Sequence, residues 1–322
     1  MKAFVQETYG SADVMQLNEI DKPLVGDGAA LVRVHAMSVN PADWHAISGT
    51  PFIARLAFGV RKPKNPVPGT DLAGVVEAVG KDVTKLRPGD EVFGWSIGAF
   101  AEYACTPEDH VVPKPANLTF EQAAAFPIAA TTALQGLRDW GQLRAGQTVL
   151  VIGASGGVGT FAVQIAKALG AEVTGVCSTR NVEMVRSLGA DQVIDYTQQD
   201  PLLGGKRYDL IFQLAGTASP SRCRRALTPK GTLLLSSGDG RFTGMGRMAA
   251  AAVSGPFVSQ ALVMRVAKLN QADLLALTEL IEAGKVAPVI DRTFAFGETP
   301  AAVRYCEEGH TRGKVVITVD GA

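Results

Sequence analysis

Cysteine is scarce in this chain. Cys105, Cys177, Cys223 and Cys306 are the only four in 322 residues, widely spaced and with no Cys-x-x-Cys pair. That excludes a disulfide framework and a cysteine-built zinc ribbon, and fits reduced thiols in a cytoplasmic protein. No secretory signal pattern precedes the first charged residues. Excess charge of either sign is also lacking, since Lys+Arg and Asp+Glu both number 31. A chain that coats nucleic-acid phosphates is normally basic, so nucleic acid is not an expected partner. Long apolar runs are missing too. The most apolar stretch, Met245 to Val266, is interrupted by Arg247, Gly255-Pro256, Gln260 and Arg265. A membrane span needs roughly 20 apolar residues, so no membrane partner is expected. The four histidines, His35, His45, His110 and His310, include no His-x-x-x-His pair, and no metal is expected.

What the chain has is apolar bulk and glycine. Hydrophobic residues make up 47% and charged ones 19%, enough to build sizeable cores and to exclude wholesale disorder. Its length makes two domains the natural expectation. In the first third, Ala30 to His35 alternates, Gly74 to Gly80 reads as another strand, and Arg87-Pro-Gly-Asp90 is a turn before Glu91-Val-Phe93. That density of strand, Gly and Pro predicts a β-rich, barrel-like domain. Thr119-Phe-Glu-Gln122 is a capping box predicting an Ala-rich helix to about Leu137. From Gln147 onward strand and helix alternate in the βαβ rhythm of a doubly wound parallel sheet. A helix from Asn270 to Ala283 follows. Lys285–Phe296 and Lys314–Val319 then return to strand, as if the nucleotide-binding domain were inserted into the β-rich one.

The strongest motif is Val149-Leu-Val-Ile-Gly-Ala-Ser-Gly-Gly-Val-Gly159. An apolar strand runs into Gly153, Gly156, Gly157 and Gly159 and then into a helix. Glycine permits the tight turn and close backbone approach to a pyrophosphate, which the helix N–H groups and dipole face. The second strand ends at Cys177-Ser-Thr-Arg180, with no Asp or Glu until Glu183. An NAD site usually has an acid there for the ribose hydroxyls. Ser178, Thr179 and Arg180 instead suit a 2′-phosphate, so NADP(H) is the expected cofactor.

Together with Ala36-x-Ser-Val-Asn-Pro-Ala-Asp43, Pro68 to Gly80, Pro88-Gly-Asp-Glu-Val92 and Leu188-Gly-Ala-Asp191 to Asp195-Tyr196, these motifs resemble the medium-chain dehydrogenase/reductases over essentially the whole chain. The similarity is to their zinc-free quinone oxidoreductase and zeta-crystallin branch. It implies a GroES-like, barrel-like domain over 1–122 and 287–322 and a Rossmann domain over 123–286. Zinc-dependent members have a Cys at the place of Asn40, Gly-His-Glu at Gly69-Thr70-Asp71, and a third ligand aligned with Ile128. An amide, a hydroxyl and an alkyl group would not hold zinc there. Asp43 and His45 keep positions they hold in zinc members. For the cofactor, the resemblance implies Thr132 beside the nicotinamide and Gly153 and Ser155 to Val158 (with Gly156 and Gly157) at the pyrophosphate. Ser178, Thr179, Arg180 and Tyr196 would lie at the 2′-phosphate. Leu214-Ala215-Gly216 and Ser236-Ser237-Gly238 would be the loops facing the nicotinamide half. Gln213 departs from the Asp of an Asp-x-x-Gly pattern common in relatives.

Without a Lewis acid, the acceptor must already be electrophilic and is expected to be a small hydrophobic molecule, a quinone or a conjugated carbonyl. Asn40, Asp43 and Tyr103 are the candidate catalytic residues. Asn40 reads equally as a donor to the acceptor oxygen or as the cap of a turn at Pro41, and Tyr103 as donor or packing. Arg241 to Met264, rich in Met, Phe and Ala, reads as a packed amphipathic helix, as an apolar wall of the acceptor site or as the cover of a dimer seam. Arg61-Lys-Pro-Lys64 reads as a solvated basic loop, with no membrane or nucleic-acid role expected of it. Alternatives are an alkenal or enoyl reductase and a non-catalytic NADPH-binding protein. A homodimer is expected from the resemblance.

Overall fold

The computed structural model describes residues 1–216, 218–235 and 259–319. Its strands are β1 (Lys2–Val5), β2 (Gln16–Glu19), β3 (Ala29–Val39), β4 (Asp71–Val79), β5 (Glu91–Trp95), β6 (Tyr103–Pro107), β7 (Val111–Pro113), β8 (Thr148–Ile152), β9 (Glu172–Cys177), β10 (Gln192–Asp195), β11 (Tyr208–Gln213), β12 (Leu227–Leu235), β13 (Ala261–Met264), β14 (Ile290–Ala295) and β15 (Lys314–Thr318). The chain divides into two compact units. Met1–Ala129, Leu269–Glu282 and Ile290–Ala322 form the first; Ala130–Lys268 and Ala283–Val289 form the second.

In the first unit, β1 and β2 pair as an antiparallel hairpin, and a larger sheet runs β14-β15-β3-β4-β5-β7, with β6 also on β3. β3 is the axis of the unit. Val32 and Val34 alternate with the half-buried Arg33 and His35, the period-two pattern of a strand packed against a core. β15 pairs with Ala36–Val39 and β6 with Ala29–Arg33, while β4 covers the opposite edge. Val32, Met37, Leu72, Val92 and Phe100 belong to the resulting core.

The second unit is a six-stranded parallel sheet in the order β10-β9-β8-β11-β12-β13. Strand order reverses beside β8, which makes the edge beyond its C-terminal end the crevice of this doubly wound sheet. The helix Gly157–Ala168 returns from that edge and buries Phe161, Val163 and Ile165.

The capping box at Thr119 forms, Gln122 N–H donating to Thr119 Oγ1 at 3.3 Å and Thr119 N–H to Gln122 Oε1 at 3.0 Å. The single helix predicted to Leu137 does not. Helices Phe120–Ala124 and Pro127–Gln135 are separate, because Pro127 has no N–H for the ladder and so starts a new helix. The units part at Ala129/Ala130, against an expected 122/123. Helix Gln271–Glu282 goes with the first unit, where Gln271 Nε2 donates to Val111 O at 3.2 Å and Asn117 Nδ2 to Ile281 O at 3.3 Å. All four cysteines are free thiols. Among the described residues no helix is long and apolar enough to cross a membrane.

Candidate functional site

In the second unit, three loops gather at the C-terminal edge of the parallel strands. Gly153 leaves β8 at φ +90°, and the N–H groups of Gly153 and Ala154 both donate to Val176 O of β9, at 3.1 and 3.0 Å. A Cβ on Gly159 would sit 2.0 Å from Gly153 O, so only glycine lets the helix approach the strand this closely. A Cβ on Gly156 would meet only Gly153 O, at 3.6 Å. Gly156 is also the N-cap of helix Gly157–Ala168 and has no side chain to cap it. The N–H groups of the first helical turn, from Gly157 and Val158 onward, therefore present an uncapped, positively polarised end.

At the ends of β9 and β10, Asp195 lies opposite Cys177 in register, and Tyr196 N–H donates to Cys177 O at 3.0 Å. This brings Ser178, Thr179, Arg180 and Tyr196 to one edge, with Arg180 and Tyr196 exposed. Two residues that sequence reasoning did not assign to the site also belong here. Asn181 is buried, and its Nδ2 donates to Ser155 Oγ at 3.1 Å and to Ser178 Oγ at 3.2 Å, tying the glycine loop to the loop after β9. Its Oδ1 is buried with no hydrogen-bond partner. The carboxylate of Asp195 accepts from Thr179 Oγ1 at 2.6 Å and from Thr197 N–H at 2.9 Å, so the Thr179 hydroxyl is already committed. That hydroxyl chiefly, together with Thr197, holds the Asp195 carboxyl below its usual range. The signal for Asp195 was its neighbour Tyr196; strand register, not spacing, carries it to Thr179.

The loop after β11 completes the edge. Leu214 N–H donates to Ile152 O at 3.0 Å, the Ala215 side chain closes on Gly153, and Gly216 takes φ +82°. Buried Gln213 accounts for its departure from the family pattern. Its Nε2 donates to Gly216 O at 3.4 Å and Ala218 O at 3.3 Å, while its Oε1 accepts from the Cys223 thiol at 3.7 Å. A carboxylate would have no proton for those two carbonyls. Thr132 lies half-buried on helix Pro127–Gln135. Ser236, Ser237 and Gly238 lie outside the described residues, as does most of Arg241 to Met264.

In the first unit, the ends of β3, β4 and β15 build a buried polar cluster. Ser38 pairs with Asp71 across β3 and β4, and Val39 with Val315 across β3 and β15, which sets Lys314 beside Asn40. Asp71 Oδ2 accepts from Ser38 Oγ and from Asn40 Nδ2, both at 2.8 Å, and its Oδ1 accepts from Ile128 N–H at 3.1 Å. Lys314 Nζ donates to Asn40 Oδ1 at 2.6 Å and lies 3.6 Å from Asp71 Oδ2. Asp43 accepts from Asn40 N–H at 2.8 Å through Oδ2 and from Thr70 Oγ1 at 2.9 Å through Oδ1. Asn40, Asp43, Asp71 and Lys314 are each at most 3% exposed, whereas Thr70 is half-buried. Positions 40, 70, 71 and 128, which the sequence resemblance sets against the ligand segments of zinc enzymes, meet in one hydrogen-bonded cluster. Among the described residues no three His, Cys, Asp or Glu side chains are grouped to hold a metal.

The cluster contains two carboxyl groups and one ammonium. Burial, then repulsion from Asp71, pushes the Asp43 carboxyl up to about 7, and burial likewise raises Asp71, opposed mainly by Lys314. A raised acid favours the native state only while protonated. Its contribution is complete below the unfolded value of 3.8 and is lost as pH climbs through about 7. A carboxyl-carbon NMR titration, assigned with Asp43→Asn, is expected to show Asp43 ionising near neutrality; a midpoint near 4 would refute this balance of burial and charge.

Asn40 occupies the N-cap position of helix Pro41–Ser48, but its side-chain amide is turned to Asp71 and Lys314. Asn40 and Asp43 are brought together; Tyr103 is not beside them. Tyr103 pairs with Arg33, seven positions before Asn40 along β3, a separation of about 23 Å at strand rise. Lys22 Nζ covers its ring at 3.6 Å. His45 bonds through Nδ1 to the Thr50 carbonyl oxygen and stacks on Trp44.

Two family models match the chain: an alcohol dehydrogenase GroES-like domain over residues 26–116 and a zinc-binding dehydrogenase over residues 188–317. The mitochondrial NAD(P)H oxidoreductase RTN4IP1 of Mus musculus is 34% identical across 99% of this chain and 89% of its own length. The chloroplastic NADPH-dependent alkenal/one oxidoreductase of Arabidopsis thaliana is 34% identical across 98% of this chain and 79% of its own. The quinone oxidoreductase of Coxiella burnetii superposes with a TM-score of 0.85 at 28% identity, covering 99% of both chains. With this identity over nearly its full length, and with a GroES-like unit beside a Rossmann sheet, the chain belongs to the medium-chain dehydrogenase/reductase superfamily, in the branch of the quinone oxidoreductases and alkenal reductases.

Proposed function

We propose that the protein is a zinc-independent, NADPH-dependent reductase of quinones or other conjugated carbonyl compounds. The observation that carries this reading is the hydrogen-bonded cluster of Asn40, Thr70, Asp71 and Lys314, at positions that the resemblance sets where zinc relatives would hold their metal. With a buried ammonium already inside the cluster, a second cation there would meet electrostatic repulsion.

The glycine edge fits a dinucleotide. Gly156 leaves the backbone open, the helix N-terminus is uncapped, and Ser155 and Ser178 are fixed by Asn181. The backbone from Ser155 to Val158 would hold the pyrophosphate, and Ser178, Arg180 and Tyr196 the 2′-phosphate, with Thr179 restraining Asp195 beside them. NADPH, when bound, supplies the hydride. Arg180→Ala is expected to raise the Kd for NADPH about 10-fold to 100-fold while leaving NADH within about twofold. Titration of intrinsic fluorescence checks this, and an equal loss for both nucleotides would remove Arg180 from the assignment.

The proton that follows the hydride is assigned to the Asp43–Thr70 pair. Thr70 Oγ1 donates to Asp43 Oδ1 in the structure; with Asp43 protonated this bond would reverse, Asp43 passing its proton to Thr70 as the half-buried Thr70 hydroxyl donates outward to the acceptor oxygen. Asn40 holds Asp43 through its backbone N–H and Asp71 through its amide, making it a positioning residue. Thr70→Val is expected to lower kcat about 100-fold without changing NADPH affinity. An unchanged kcat would leave bulk water as the proton source.

The function itself is tested by following NADPH oxidation with chelator-treated protein against a quinone and a 2-alkenal, with products identified by mass spectrometry. Quinol formation supports the quinone reading. A saturated carbonyl as the favoured product moves the activity to carbon–carbon double-bond reduction. Activity that vanishes with chelation and returns with zinc overturns zinc independence, and no turnover despite NADPH binding favours the non-catalytic alternative.

A further inference from the structure

Among the described residues, large apolar side chains left in water are mostly scattered singly, as is ordinary for protein surfaces. The exception is residues 52–60, where Phe52, Ile53, Leu56 and Val60 are 69, 58, 71 and 57% exposed. Arg61, Lys62 and Lys64 follow immediately and are also exposed. Between Asp43 and Asp71 there is no acidic residue, so the segment has basic charge and no internal compensation.

The exposure is built into the loop. Arg55 Nε donates to Gly49 O at 3.0 Å, and its guanidinium lies 4.6 Å from the Tyr9 ring and 4.9 Å from the Phe52 ring. Tyr9 Oη donates to Gly59 O at 2.5 Å, and Lys64 N–H to Phe58 O at 2.7 Å. Gly59 turns at φ +125°, where a Cβ would lie 2.1 Å from Lys62 O. That turn folds the basic stretch back beside the apolar one. Tyr9 and Arg55 hold the segment from below while its apolar side chains stay in water.

We propose that residues 51–64 dock the protein peripherally on an anionic lipid surface, the apolar side chains entering the headgroup region and the cations pairing with lipid phosphates. Apolar projections ringed by Lys and Arg are the composition of interfacial anchors, which combine buried apolar area with attraction to anionic lipid. A nucleic acid would satisfy the cations but leave the four apolar side chains wet. The sequence reading of Arg61 to Lys64 as a merely solvated loop saw the charge without the exposed apolar neighbours. The docking does not rest on the reductase reading.

The test is co-sedimentation of the full chain with phosphatidylcholine vesicles, with and without about 30 mol % phosphatidylglycerol. Binding is expected to be at least about tenfold tighter on the anionic vesicles and to fall as salt rises from about 0.05 to 0.5 M. Ile53→Ser/Leu56→Ser and Arg61→Glu/Lys62→Glu are each expected to lose most of it, with melting temperature and NADPH affinity unchanged. Wild-type protein that stays in the supernatant, binds both vesicles equally, or is matched by the variants overturns the proposal. So does loss of a dimer, or a raised KM for a soluble acceptor, in variants that still sediment normally, since the segment would then serve a second copy or the acceptor.

Discussion

Lys314→Met is expected to destabilise the first unit by about 3–5 kcal/mol at pH 8, the cost of removing one partner from a buried ion pair. The ammonium is 3% exposed and donates to Asn40 Oδ1 and Val39 O beside Asp71. Methionine matches its length but leaves two buried acids with no cation. The loss should shrink toward pH 5, because Asp43 is then protonated and less charge remains for Lys314 to balance. Chemical denaturation followed through Trp44 and Trp95, both in the first unit, with Trp140 replaced by Phe, reads this directly. An equal loss at both pH values would mean that lysine acts by packing alone.

Gly159→Ala is expected to cost the second unit about 4 kcal/mol or more, or to abolish nucleotide binding in whatever protein still folds. The added carbon would lie 2.0 Å from Gly153 O and 2.9 Å from both Ala154 C and Cα. All three are backbone atoms, and Gly153 and Ala154 are held by hydrogen bonds to Val176 O. The helix must therefore retreat from the strand, carrying its N-terminal N–H groups away from the glycine loop. Calorimetry and NADPH titration measure the two losses. Gly156→Ala is the contrasting case, since its Cβ has room in the protein and would trouble only a ligand. Near-wild-type stability and binding in Gly159→Ala would contradict the strand–helix geometry described here.

The parts written in consecutive residues were legible in the sequence. The glycine loop and the strand-helix alternation need only local spacing, and Ser178 to Arg180 follow the second strand directly. Asn40 and Asp43 were recognisable as a pair because they share a turn. Lys314 was not, since Gly-Lys-Val-Val-Ile reads as the start of a strand and its partner Asn40 is 274 positions away. Asp195 was visible in the family motif, but its place at the site was not, as its meeting with Thr179 depends on parallel pairing between β9 and β10. Tyr103 was grouped with Asn40 because motifs do not reveal distance along a strand, and β3 proved to be 11 residues long. The break before Pro127 was visible, but the alanine run around it favoured a continuous helix.

β15 also orders events during synthesis. The ribosome delivers Ser38, Asn40, Asp43 and Asp71 early, whereas the only ammonium within reach of Asp71 among the described residues arrives on the strand that also fills the edge of β3 beside Val39. Until then the nascent first unit has an open sheet edge and two acids whose burial is uncompensated, a poor substrate for collapse. The parallel sheet of the second unit, by contrast, is complete before β15 is made. The inserted unit can therefore fold first, and the unit that begins the chain is the last to close.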